Sequence, residues 1–170
     1  MGKTTLVKSY LDVTGFKYKL VSGDDIGVQQ VMSSESIELI KRYVEEFELI
    51  VIDEAQKIPK IGTGLKILVD YVPGIRVIAT GSASFDLANK VGEPLTGRKM
   101  TLNLYPLSQS EMILDSSRYE VENDLEDYLV FGSYPEVLTS TEVIKKKNTL
   151  GEIVNSYLFR DVLEIERVKG

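Results

Sequence analysis

The chain contains no cysteine and no histidine. Disulfides, thiolate zinc sites and cysteine nucleophiles are therefore excluded. Ser-His-Asp triads, histidine-ligated metals and imidazole general bases are excluded with them. Acid–base chemistry is left to Asp, Glu, Lys or Tyr. A basic excess is also lacking: 20 Lys and Arg stand against 26 Asp and Glu, a net charge of −6. A global footprint for nucleic acid is thus absent, although a local basic patch is compatible with this balance. No apolar run approaches the roughly 18 residues of a membrane span. No charged segment followed by an apolar one marks a signal peptide at the N-terminus. The expected compartment is the cytoplasm, with no membrane partner. What is present, 43% hydrophobic and 27% charged residues in 170, is the composition of about one globular domain with a buried core.

Along the first half, helical and strand patterns alternate. Gly2–Tyr10 reads as a helix start and Lys17–Val21 as a short strand. Ser33–Phe47 reads as one helix, with Ile37, Ile40, Val44 and Phe47 at helical spacing and Ser33 or Ser34 as its cap. Leu49–Ile52 is a continuous apolar run, the pattern of a strand buried on both faces. Leu65–Val72 is a further helix, stopped by Pro73-Gly74, and Ile75–Ala79 a further buried strand. Phe85–Val91 reads as a helix and Met100–Leu104 as a strand. This rhythm predicts a parallel sheet with helices on both faces. After Tyr105-Pro106 the pattern becomes helical. Ser108–Glu111 forms a capping box, and Val121–Phe131 and Thr141–Val168 are expected helices. The expected division is an α/β part over residues 1–107 and a helical part over 108–170. The run Lys145-Lys146-Lys147 reads as a solvated helix face.

Four short constellations carry chemistry. Gly2-Lys3-Thr4-Thr5 contains the end of a phosphate-binding loop, G-x-x-x-x-G-K-[ST], although alone it equally fits the start of an ordinary helix. In such a loop, backbone N–H groups and the helix N-terminus cradle phosphate oxygens. The lysine reaches the terminal phosphates and the hydroxyl binds Mg²⁺. Asp53-Glu54 follows the apolar Leu49–Ile52 strand. Ligands of open α/β sheets sit at the carboxyl ends of strands. There an Asp can hold Mg²⁺ through hard oxygen, and a Glu can deprotonate an attacking water; alternatively the strand simply leaves the core with solvated charges. Thr80 or Ser82, at the end of the next strand, could hydrogen-bond that water or the γ-phosphate, or simply cap the following segment. Arg98 is either a surface charge or a finger stabilising transition-state charge, from the same or a neighbouring subunit.

Read in order, these segments resemble the prokaryotic predicted ATPases of the AAA+ superfamily. Gly2–Leu6 resembles the end of the Walker A loop, and Leu49–Lys57 (LIVIDEAQK) the Walker B segment, with Gln56 in the family's characteristic place. Arg76–Ser84 resembles the sensor-1 strand, Leu95–Arg98 the L-x-G-R segment and Tyr105–Ser108 the P-L-S turn. Tyr128–Leu138 resembles the G-G-Y-P block, with Ser133 for the second glycine, and Tyr157–Leu163 the Y-x-x-R-D-[IV]-L helix. The resemblance implies a P-loop core of strand order 5-(1)-4-3-2 followed by a helical, winged-helix-like region. It also implies a first strand and loop before Gly2, and a further C-terminal domain. Met1 is then expected to stand for a valine codon inside a longer reading frame.

The implied function is Mg²⁺-dependent ATP hydrolysis. Gly2, Lys3, Thr4 and Thr5 would contact nucleotide, Thr4 and Asp53 the metal, and Thr80 or Ser82 the γ-phosphate. Glu54 would polarise water, and Arg98 would be the finger. ATP is the expected ligand, with a homo-oligomer and a protein or nucleic-acid partner as further expectations. With only the end of the loop present, residues 1–170 are expected to bind ATP poorly. The alternative is a non-enzymatic module that mediates protein or nucleic-acid interactions.

Overall fold

Four consecutive apolar residues, Leu49–Ile52, form the middle of the sheet. In the computed structural model, residues 2–81 and 95–155 are described. They belong to two units, one spanning Lys3–Leu102 and the other beginning at Asn103 and including Gly2.

In the first unit the order is α1 (Lys3–Val13), β1 (Tyr18–Ser22), α2 (Ile26–Met32), α3 (Ile37–Val44), β2 (Leu49–Asp53), a 3₁₀ turn (Ala55–Lys57), α4 (Ile61–Tyr71) and β3 (Arg76–Ala79). The strands pair in the order β1-β2-β3, all parallel. The register sets Val51 between Leu20 and Ile78. Alternation along β2 sends its side chains to opposite faces. Leu49 and Val51 pack with Leu11, Val7 and Phe16 on the α1 side. Ile50 and Ile52 join Val28, Met32, Ile40, Val44, Leu65 and Leu68 from α2, α3 and α4. Both faces of the sheet are therefore covered by helices, consistent with an α/β P-loop-like fold.

Several expectations are corrected. The helix expected over Ser33–Phe47 begins at Ile37, capped by Ser36, whose side chain accepts the Leu39 N–H. Glu35, at φ +57°, breaks the chain before it, and Ser33 is instead the C-cap of α2, whose N-cap is Asp25. α4 starts four residues earlier than expected, at Ile61. Gly64 lets it approach: a Cβ there would lie 2.3 Å from the Met32 carbonyl oxygen. Residues 100–104 form no strand, and Met100 and Leu102 are exposed. Among the described residues no neighbouring strand offers them a ladder, and an unpaired strand is not stable in water. The helix expected over Phe85–Val91 lies outside the described residues.

The second unit contains α5 (Gln109–Asp115), α6 (Arg118–Asn123), α7 (Leu125–Phe131), α8 (Pro135–Leu138) and α9 (Val143–Ile153). Ser108 and Glu111 complete the expected capping box, and Ser117 with Glu120 complete a second. The helix expected over Val121–Phe131 is divided at Asp124, which ends α6 and opens α7. Of Thr141–Val168, the described residues give α9 and its continuation to Asn155. Lys146 departs from the solvated-face reading: it pairs with Asp127 and its ammonium lies 5.4 Å from the Phe131 ring centroid. Among the described residues no helix is long and apolar enough to cross a membrane.

Candidate functional site

The site is built at the carboxyl ends of the three strands. Beyond β2 the ladder continues through irregular backbone. Gly23 N–H donates to the Asp53 carbonyl at 2.7 Å, and Thr80 N–H to the Ile52 carbonyl at 2.9 Å. Ala55 N–H donates to the Thr80 carbonyl at 2.8 Å. These bonds fix Asp53, Glu54 and Thr80 side by side, where the strand pattern placed them.

Asp53 is the centre of the arrangement. Thr4 Oγ1, in the first turn of α1, donates to Asp53 Oδ2 at 2.8 Å across 49 residues of sequence. Thr80 Oγ1 donates to Asp53 Oδ1. Both carboxylate oxygens thus accept from a hydroxyl, one on each side. Thr80 Oγ1 also accepts the Glu54 N–H at 3.3 Å, so one buried threonine ties both acidic residues. The first turn of α1 holds no acidic residue, and Lys3 opens it. The positive end of the helix dipole and the lysine therefore face no local acidic residue within that turn.

Glu54 adopts the left-handed conformation, φ +53° and ψ +40°, as the residue before the 3₁₀ turn. A non-glycine residue there is uncommon and costs on the order of 1–2 kcal/mol. The turn carries Gln56, which is 6% exposed, back towards it. Gln56 Nε2 donates to Glu54 Oε2 at 2.6 Å.

The structure brings together Thr4, Asp53, Glu54 and Thr80 from the sequence-derived set. Lys3 and Thr5 share the first turn of α1 with Thr4. Gly2, at φ +84°, falls in the other unit, and Ser82 lies outside the described residues. Arg98 is not brought to this group. It forms an ion pair with Asp70. Asp70 is in the last turn of α4, which starts after the carboxyl end of β2 and runs back to the amino end of β3. Eleven residues of helix at about 1.5 Å each separate that end from the site. Sequence reasoning marked Gln56 only by position. Its signal is a polar residue two places after Glu54 that the turn buries.

The donor set fits Mg²⁺. Hard hydroxyl and carboxylate oxygens are its usual ligands, and adjacent ligands of an octahedron at about 2.0–2.1 Å lie about 2.9 Å apart. Thr4 Oγ1 and Asp53 Oδ2, at 2.8 Å, have that spacing.

No solved structure matches the chain. An uncharacterized protein of Methanocaldococcus jannaschii is 26% identical over 108 residues, covering 57% of this chain and 24% of the relative. The chain thus spans about a quarter of that relative's length. The AAA domain family matches residues 1–113, a span that includes α1, the whole sheet, Thr4, Asp53, Glu54 and Thr80. A parallel sheet with a Gly-Lys-Thr helix start hydrogen-bonded to the acidic end of its middle strand is what that match encloses, and the chain belongs to the AAA domain family, whose function is nucleotide binding of the ATPase type.

Proposed function

We propose that this domain, within the longer protein that the resemblance implies, binds ATP with Mg²⁺ and hydrolyses its terminal phosphoanhydride. The hydroxyl–carboxylate–hydroxyl set of Thr4, Asp53 and Thr80 carries this reading. Lys3 and the N–H groups of the first α1 turn, with Thr5, attract the phosphates. Thr4 and Asp53 would hold Mg²⁺, which neutralises charge on the phosphate oxygens. Glu54 takes the proton from the attacking water as its oxygen bonds to the γ-phosphorus, and the β–γ bridging oxygen leaves with ADP. Thr80 fixes the Asp53 carboxylate. Arg98 pairs with Asp70 away from this group, which supports a finger role in trans, on a neighbouring copy, over one in cis.

Measurement of ATP affinity and turnover on single variants tests this reading. Lys3→Ala is expected to abolish tight ATP binding, and Asp53→Asn to weaken its Mg²⁺ dependence. Glu54→Gln is expected to keep ATP binding and lose about 10²–10⁴-fold in turnover, the usual contribution of a general base. Binding that is indifferent to Lys3 and Asp53, or turnover undiminished in Glu54→Gln, refutes it.

A further inference from the structure

The contact between Gln56 and Glu54 supports an inference that rests on the reading of Glu54 as the base and deepens it. We infer that Gln56 is a positioning residue, whose side-chain amide holds the Glu54 carboxylate in its working orientation through Oε2 and leaves Oε1 to receive the proton of the attacking water.

Three observations carry it. First, the donor is anchored. Gln56 is 6% exposed, in a turn closed by the Lys57 N–H to Glu54 carbonyl and Ile58 N–H to Ala55 carbonyl bonds, at 3.0 and 3.1 Å. The flanking Ala55 and Ile58 are fully buried. Second, the acceptor is not anchored by burial. Glu54 is only half-buried, and a glutamate has three side-chain torsions to restrict. Third, the division between the two oxygens is specific. Oε2 takes the amide at 2.6 Å, and among the described residues no hydrogen bond is made to Oε1. A fixed donor on one oxygen restricts rotation of the carboxylate while the other oxygen keeps its lone pairs.

The left-handed backbone of Glu54 belongs to the same device. With Glu54 at φ +53°, the chain turns at once into the 3₁₀ segment, and residue 56 returns to residue 54. An extended strand continuing past Asp53 would leave side chains 54 and 56 on one face about 6.8 Å apart along the chain, whereas after the turn the two are joined by a 2.6 Å hydrogen bond. Backbone conformation that is uncommon outside glycine is thus used to bring a buried amide to the carboxylate.

The experiment is a double-mutant cycle on ATP turnover and ATP affinity, using Gln56→Met and Glu54→Gln singly and together. Gln56→Met keeps the length of the side chain and removes the donor. The expected result is a kcat at least about tenfold lower, since a misplaced reacting group costs up to about 10²-fold, with ATP Kd and KM within threefold of wild type. On the Glu54→Gln background the same substitution is expected to change kcat less than twofold, because the group it positions is no longer a base. Gln56→Glu is the second variant. It keeps shape and polarity, places a like charge on Glu54, and is expected to lose kcat in the same way should Gln56→Met not fold. Wild-type kcat in a folded Gln56 variant, or a full additional loss on the Glu54→Gln background, overturns the inference while leaving Glu54 as the base. Undiminished turnover in Glu54→Gln alone overturns the underlying reading and the inference together.

Discussion

Replacing Gly23 by alanine is expected to damage the site from the opposite strand. Gly23 follows β1, and a Cβ built on it would lie 2.3 Å from the carbonyl oxygen of Glu54, 3.0 Å from its carbonyl carbon and 3.3 Å from the Asp53 oxygen. Its φ is not positive, so alanine can adopt its conformation and space is the only objection. About 3.5 Å is a comfortable non-bonded distance, so the two backbones must part by roughly 1 Å. No side chain can rotate away, because all three neighbouring atoms are main chain. Gly23 is also held at both of its polar groups. Its N–H donates to Asp53 at 2.7 Å and its carbonyl accepts the Gln29 amide at 2.6 Å. The strain therefore falls first on the Glu54–Ala55 peptide, with the Asp53 carbonyl beside it. Overpacking of this kind costs about 1–3 kcal/mol. A 1 Å displacement of a reacting group lowers turnover by about 10²-fold. Urea unfolding and steady-state ATPase of Gly23→Ala measure both. Gly15→Ala is the control, since a Cβ there meets nothing within 4 Å. A Gly23→Ala protein with the wild-type urea midpoint and wild-type turnover refutes the reasoning.

Two further substitutions separate space from propensity. Gly64→Ala in α4 meets the Met32 carbonyl at 2.3 Å and is expected to destabilise by about 1–3 kcal/mol despite the helix preference for alanine. Gly151→Ala in α9 meets nothing within 4 Å and is expected to gain about 0.5–1 kcal/mol, so thermal melts shifting in the same direction contradict the packing described. Hydrogen bonds from the Ser108 backbone and hydroxyl hold the Glu111 carboxyl below its ordinary value of 4.5. Those from Ser117 do the same for Glu120. A depressed folded value stabilises above the unfolded one, and that stability is lost as pH falls through the depressed value. Melting temperatures measured from pH 7 downward should therefore fall less below pH 4.5 in Glu111→Gln than in wild type, and parallel curves would count against the box.

How much of this was legible in the sequence depends on which physical rule fixed each element. The run Leu49–Ile52 was legible because a strand buried on both faces needs every residue apolar, and its two clusters divide as strand alternation requires. The Ser108 capping box was legible because its two bonds are local. The same signature at Ser117 and Glu120 is present in the sequence and marks where α6 begins. The breaks were not legible where non-glycine residues adopt left-handed conformations. Glu35, Glu54 and Lys60 stand at φ +57°, +53° and +52°, and they precede α3, the 3₁₀ turn and α4. Nothing in a glutamate or a lysine signals that conformation, as glycine would. Two of the three, Lys60 and Glu35, are joined by an exposed ion pair across 25 residues of sequence. Residues 100–104 failed for the complementary reason: alternation is a local pattern, whereas a strand requires a neighbour.

The candidate site shows the same division more sharply. Residue types and their order single out Thr4, Asp53, Glu54 and Thr80 as candidates, because hard oxygens at strand ends and a Lys-Thr helix start suit phosphate and Mg²⁺. Order cannot say what each touches. The short hydroxyl of Thr80, expected at the γ-phosphate, bonds to Asp53 and to the Glu54 N–H. That ties it to both acidic residues, the proposed metal ligand and the proposed base. Arg98, read as either a surface charge or a finger at the transition state, is paired with Asp70 at the other end of α4. A charged residue finds its partner through the whole fold, and Asp70 lies 28 residues from Arg98 in sequence. Gln56 is the intermediate case. Its distance from Glu54 in sequence is two residues, and the contact is made in the 3₁₀ turn that begins where Glu54 leaves the strand conformation. The residues that bear the proposed chemistry are thus legible from their types. Those that orient them depend on backbone angles that the sequence does not announce.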